Sequence, residues 1–307
     1  VVRGLFGMVV LAALGGYAYA QFVAGPGSEP AHCLVTAAAE GGEPYRLEPQ
    51  QAANAATIEA VASVRGLPER AVTIALATAM QESALRNIDY GDRDSLGLFQ
   101  QRPSQGWGTE EQVMDPVYAA GQFYDHLVEV PDYETLPLTV AAQAVQRSAF
   151  PDEYAKHEPR ATLLSGALTG RAPASLTCVP DEPGAGDGAE GDEGRADGGA
   201  TAAQLAEAAA AGVTARLVRD FGPSADPRGE GADVTVPVPD EGGERRGWEL
   251  AHWAVAHSGE LGITRVAYAG RVWEADSGAD GWREENAGEN AAGPPSSVLI
   301  SVSPAGG

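Results

Sequence analysis

Glu82 is the acid in this sequence best placed to do chemistry. It shares a helix flank with Ala75 and Ala79 rather than standing among other charges. Small apolar neighbours leave a carboxyl partly desolvated, which disfavours its charged form and keeps it protonated near neutral pH, as a general acid requires. The competing reading is a glutamate at a helix end pointing into water. Gln81-Glu82-Ser83 is followed by a polar loop and then by Gly97-Leu98-Phe99-Gln100. Glycine lets the backbone come close to a bound molecule, and glutamine offers both donor and acceptor to hydroxyl groups. Trp107, in a glycine-rich loop, has a face on which a sugar could stack, although a core or lid tryptophan is the more usual explanation.

These residues need rigid mounts, and the apolar spacing supplies helices. Residues 49 to 64 carry Ala56, Ala60 and Val64 at i+4 spacing behind a first-turn proline, and Gly66 ends them. Pro68 opens the helix that bears Glu82, running to about residue 85 with Val72, Leu76 and Met80 as its buried stripe. Residues 87 to 95 are rich in turn formers and read as a loop on the surface or over a cleft. Thr109 to Gln112 has the form of a capping box, and Asp115-Pro116 starts a helix to about residue 127. Two more helices follow, one from about 139 to before Pro151 and one from about 160 to 168. The block is mainly α with long loops.

The ordered pair of segments, Gln81-Glu82-Ser83 and Gly97-Leu98-Phe99-Gln100, resembles the goose-type lysozyme and lytic transglycosylase superfamily over about residues 73 to 155. The resemblance implies a lysozyme-like fold and cleavage of peptidoglycan glycan strands. It assigns Glu82 as general acid, and Ser83, Gly97, Leu98, Phe99 and Gln100 as substrate-binding. Gly91-Asp92-Arg93 looks like the segment of goose-type lysozymes that presents a second carboxylate, so Asp92 could position an attacking water. Those lysozymes have another Asp just after the Gln, where this chain has Gln101-Arg102. Asp92 is therefore open between catalytic residue and solvated loop acid. In place of the later Tyr-Asn motif of lytic transglycosylases stands Gln143-Ala144-Val145-Gln146-Arg147-Ser148. Gln146, Ser148 and Tyr154 are the candidate substitutes as sugar contacts. The mechanism implied is protonation of the glycosidic oxygen through an oxocarbenium-like transition state. It ends in a 1,6-anhydro sugar if Glu82 then acts as base, or in a reducing end if Asp92 orients water.

The 307 residues exceed one small core, and the formal charge of −23 repels phosphate backbones, which argues against nucleic acid. Residues 5 to 24, after Arg3, read as an export signal with Ala18-Tyr19-Ala20 as cleavage site, or as an uncleaved transmembrane anchor to the outer face of the cytoplasmic membrane. Either places the chain outside the cytoplasm, where the two cysteines, Cys33 and Cys178, are expected to pair rather than remain separate buried thiols. The expected layout is a signal or anchor in 1–30, a lysozyme-like domain in 31–178, a disordered acidic linker in 179–200, and a small α+β domain in 201–307. A linker of this kind would let the last domain cover or leave the cleft.

Residues 248–257, 261–266, 271–273 and 281–283 resemble a domain attached to actinobacterial cell-wall hydrolases and related to zinc D-alanyl-D-alanine peptidases. Those peptidases hold zinc with a His-x6-Asp pair and a later His-x-His. Here Asp226 stands in the first histidine place before Asp233, and Ser297 and Leu299 occupy the other two. No metal or cofactor is expected, since zinc would lose its nitrogen ligands. His252 and His257, five apart, fall on different helix faces. This domain reads as a non-catalytic binding or spacing module, with a cell-envelope protein as a candidate partner. The alternative to an enzyme is a chain that only binds peptidoglycan or such a partner.

Overall fold

The computed structural model describes residues 30–37, 42–148, 150, 152–180, 201–285 and 296–303. Its centre is helix α1 (Pro49–Val64), in which every residue from Ala52 to Ala62 is buried. Six alanines in that run leave room for neighbours on all sides, so the helix has no solvent face. α2 (Glu69–Ser83), α4 (Pro116–Val128) and α6 (Glu158–Leu168) pack around it, with the short α3 (Glu110–Val113) and α5 (Leu138–Gln146) flanking α4 and α2.

Three strands tie the ends of this helical region together. β1 (His32–Val35) lies between β2 (Tyr45–Leu47) and β3 (Leu176–Val179), antiparallel to both, and sets Cys33 directly opposite Cys178. The two cysteines form a disulfide that closes a loop of 145 residues. In the chain-entropy model such a closure removes about 5 kcal/mol of unfolded-state entropy.

The second region is smaller and mixed. An antiparallel sheet in the order β4-β5-β9-β6-β7-β8 comprises Arg228–Glu230, Asp233–Pro237, Ser297–Val302, Ile263–Tyr268, Arg271–Glu274 and Arg283–Glu284. Helices α7 (Ala202–Phe221) and α8 (Gly243–Ala256) cover it, and the short α9 (Ser258–Leu261) follows.

The described residues from Ala31 onward form one compact unit, and the two regions share a buried seam. Thr57 of α1 donates to Asp220 of α7 at 3.2 Å, and Trp253 Nε1 of α8 donates to the same carboxylate at 3.0 Å. The indoles of Trp273 and Trp282 donate to Thr177 and to the Leu176 carbonyl, gripping the strand that carries Cys178. Gly278 is required at this seam, because a Cβ there would sit 2.0 Å from the Cys178 carbonyl oxygen.

Several expectations are corrected. Among the described residues no helix is long and apolar enough to cross a membrane, which overturns the transmembrane, anchor and membrane-face readings. The segment they were placed on, with the signal reading, lies outside the described residues, as do residues 181–200 of the expected linker. Val179, expected in that linker, closes strand β3. The helix expected to run up to Pro151 ends at Gln146, because Arg147 turns left-handed at φ 52°.

Candidate functional site

Glu82 sits in the last turn of α2, and the chain reverses immediately after it. Ala84 and Leu85 are both left-handed, at φ 53° and 62°, an unfavourable state for residues with a Cβ. The turn is held from α1: Gln51 donates to the Ala84 carbonyl at 2.7 Å and Asn54 to the Leu85 carbonyl at 2.8 Å. α1 thus fixes where the helix of Glu82 stops.

The Glu82 carboxyl is gripped from the 3₁₀ turn Glu153–His157. Tyr154, fully buried, donates its hydroxyl to Glu82 Oε1 at 2.6 Å, and His157 lies 3.0 Å from Gln81 Oε1. Burial pushes the Glu82 carboxyl above the ordinary carboxylate range, while hydrogen bonds from Tyr154 and Gln146 pull it back in part. Burial and the neighbouring Glu82 raise the Tyr154 hydroxyl, so it serves as a donor rather than a phenolate. Desolvation with a directional donor is an arrangement that can keep a carboxyl protonated and aimed.

Ser83, Leu98 and Phe99 are buried. The Ser83 hydroxyl lies 2.7 Å from the Leu98 carbonyl, and Phe99 stacks on Phe123 with centroids 4.8 Å apart. These side chains mount the segment rather than face a ligand. Gly97, at φ 76°, is needed there because a Cβ would meet the Val113 carbonyl at 2.3 Å. Gln100 is left-handed and donates to the Tyr90 carbonyl at 3.2 Å across Gly91. Gln146 donates to the Phe99 carbonyl at 2.8 Å, joining α5 to the segment. Ser148 accepts from the Phe150 N–H at 3.2 Å and so shapes the lip beyond α5.

A cleft of about 930 Å³ opens over Glu82, and Asp92, Gln100, Trp107, Gln146 and Ser148 also line it. Trp107 is partly buried and meets His126 edge-on at 4.4 Å. Asp92 is 92% exposed, and among the described residues only the Arg93 guanidinium, 3.9 Å away, stands beside it. Asp94 is the fixed acid of that loop. The Ser104 hydroxyl and N–H and the Arg102 guanidinium hold its carboxyl well below the usual range. No described residue beyond Phe150 lines the cleft, so the second region does not cover it.

His126, Arg147 and Phe150 also line the cleft and were not singled out from sequence. Phe150 had a readable signal, an aromatic beside a proline between polar stretches, and its side chain is exposed. His157 had none, because its partner Gln81 is distant in sequence.

Among the described residues no group of three or more His, Cys, Asp or Glu side chains could hold a metal ion. Asp233 accepts from Ser301 at 2.6 Å and Asp226 pairs with Arg228 at 2.6 Å. The residues present do not fit a zinc centre. His252 and His257 are buried and bond to the carbonyls of Ala167 and Trp253.

Residues 192–293 are similar to the family described as VldE, C-terminal domain, a match to the second region that does not reach the cleft. No curated protein matches the chain.

Proposed function

We propose that the chain cleaves peptidoglycan glycan strands, with Glu82 as general acid. One observation carries the reading: a carboxyl raised by burial, oriented by a buried tyrosine, stands at the floor of an open cleft large enough for several sugar units. Glu82 protonates the glycosidic oxygen as the bond to the anomeric carbon breaks and positive charge develops on the sugar ring. The carboxylate left behind then needs a proton donor to complete the cycle. Removing the proton from a hydroxyl of the same sugar returns it to Glu82 and forms a 1,6-anhydro ring. This outcome is favoured over hydrolysis because Asp92 is almost wholly in water and, among the described residues, has only the Arg93 guanidinium 3.9 Å away to fix it as the base for a water molecule. Gln146 and Gln100 supply amide groups at the cleft wall, and Trp107 and Phe150 supply faces for sugar rings.

The test is digestion of purified sacculi by the full-length protein, wild type against Glu82→Gln, with mass spectrometry of the released fragments. The expected result is anhydro-ended muropeptides from the wild type and a loss of rate of about 10²-fold or more in the variant. Reducing ends in place of anhydro ends would transfer the second step to water. No release from several peptidoglycan types would overturn the reading.

A further inference from the structure

One wall of the cleft comes from two loops on either side of the Gly97-Leu98-Phe99-Gln100 segment. Asp92, Arg93 and Ser95 line it from the first loop, and Arg102, Gln105 and Trp107 from the second. A wall built of loops is either held in place beforehand or ordered when a ligand arrives, and ordering on arrival costs affinity. The two loops meet at Asp94, which is not among the residues that line the cleft.

Both carboxylate oxygens of Asp94 are engaged from the second loop. Oδ1 accepts from Arg102 Nε at 2.8 Å and Oδ2 from the Ser104 N–H at 2.8 Å, while Arg102 Nη2 donates to the Ser104 hydroxyl at 3.3 Å. The Asp94 and Arg102 side chains are 32% and 27% exposed, against 92% and 70% for the neighbouring Asp92 and Arg93. An exposed pair of mobile side chains brings little order, but here one donor is a backbone N–H, so the carboxylate fixes the path of the chain itself. These donors hold Asp94 well below the ordinary carboxylate range, so it stays charged wherever Glu82 titrates. Beyond Ser104 the chain completes the 3₁₀ turn Pro103–Gln105 and reaches Trp107, which stands between Gly106 and Gly108. The far end of this stretch is pinned, since a Cβ on Gly108 would meet the Tyr118 ring at 2.8 Å and Thr109 caps α3. At the near end the anchor is Asp94.

We propose that Asp94 is a positioning residue, whose carboxylate ties the loop after α2 to the turn leading to Trp107, so that this wall stands in place before a ligand enters the cleft. Its consequence for a glycan rests on the glycan-cleaving reading: Asp94 then lowers KM by sparing the strand the ordering of the wall, and it takes no part in the chemistry at Glu82.

The test begins without any glycan. Trp107 is partly buried, whereas Trp248, Trp253, Trp273 and Trp282 are buried, so acrylamide quenching of the full-length protein reads Trp107 above the other four. Asp94→Ala is expected to raise the quenching constant about twofold while the melting temperature stays within about 3 °C of the wild type. Asp94→Asn keeps an oxygen for the Ser104 N–H and should recover part of the difference. Adding Trp107→Phe should abolish it and so identify the signal. On sacculi, Asp94→Ala should raise KM about threefold to tenfold, with kcat within about twofold and the alkaline limb of the pH–rate profile unmoved. Quenching that is the same in wild type and Asp94→Ala overturns the proposal whatever the protein acts on. A fall in kcat at unchanged KM overturns it too, since Asp94 would then act on the chemistry. If Asp94→Ala exposes Trp107 and weakens co-sedimentation with sacculi that neither protein cleaves, the enzymatic reading falls and the role of Asp94 stands.

Discussion

Tyr154 reaches Glu82 across 72 residues of sequence, and its hydroxyl favours the charged form of the carboxyl that burial disfavours. The two effects give a signed prediction. A general acid must be protonated, so activity should fall as pH rises through the raised Glu82 value. Tyr154→Phe removes a hydrogen bond to the carboxylate, so the alkaline limb of the pH–rate profile should move to higher pH while kcat drops about five- to tenfold through lost orientation. A limb that moves downward would mean that Tyr154 does not act on Glu82. Glu82 was legible because Ala75 and Ala79 mark an apolar flank. Tyr154 offered no local sign of its partner. Ser83, Leu98 and Phe99 show a limit of motif reading, since a motif records together the residues that face a ligand and the residues that hold them in place.

Helix α7 and helix α1 meet at Asp220, whose side chain is fully buried and accepts from Thr57 and Trp253 while pairing with Arg216 at 3.1 Å. Arg216 in turn reaches His257 Nε2 at 3.2 Å, which leaves the imidazole proton on Nδ1, donated to the Trp253 carbonyl at 2.9 Å. Removing one partner leaves the other charge buried without compensation. Asp220→Ala should therefore cost about 3–5 kcal/mol in urea unfolding, and Asp220→Leu with Arg216→Met together should cost less than Asp220→Ala alone. A single-variant loss below about 1 kcal/mol would show the network to be solvated. At this scale the helices were readable from spacing, proline and capping boxes, and Thr109 caps α3 as its sequence suggests. The strands of the disulfide sheet were not, because three or four residues are too few to show alternation.

The seam between the two regions also sets how stability follows pH. His252 is buried beside Trp248 and Trp282, and burial lowers its imidazole to about 4. The unfolded chain binds that proton more readily, so the stability this neutral ring contributes is present above the ordinary histidine value of 6.5 and is lost as pH falls through 4. The shift corresponds to about 3 kcal/mol of acid sensitivity. His252→Asn keeps an N–H for the Ala167 carbonyl and cannot titrate, so the difference in melting temperature between pH 7 and pH 4.5 should shrink. An unchanged difference would place the acid sensitivity elsewhere. Glu59 works the other way: burial and the adjoining Glu249 raise its carboxyl well above the ordinary range, so its contribution is full below 4.5 and declines as pH rises.

By itself the sequence determined the helical framework, the one cysteine pair open to it and the acid at the end of α2, since these follow from periodicity, residue count and near neighbours. Only the tertiary structure decided what meets across distance. It set the second region on α1 and β3 rather than over the cleft, and gave Glu82 its tyrosine. The physical reason is that local pattern encodes which face of an element is buried, whereas the identity of the surface that buries it depends on how all elements close together.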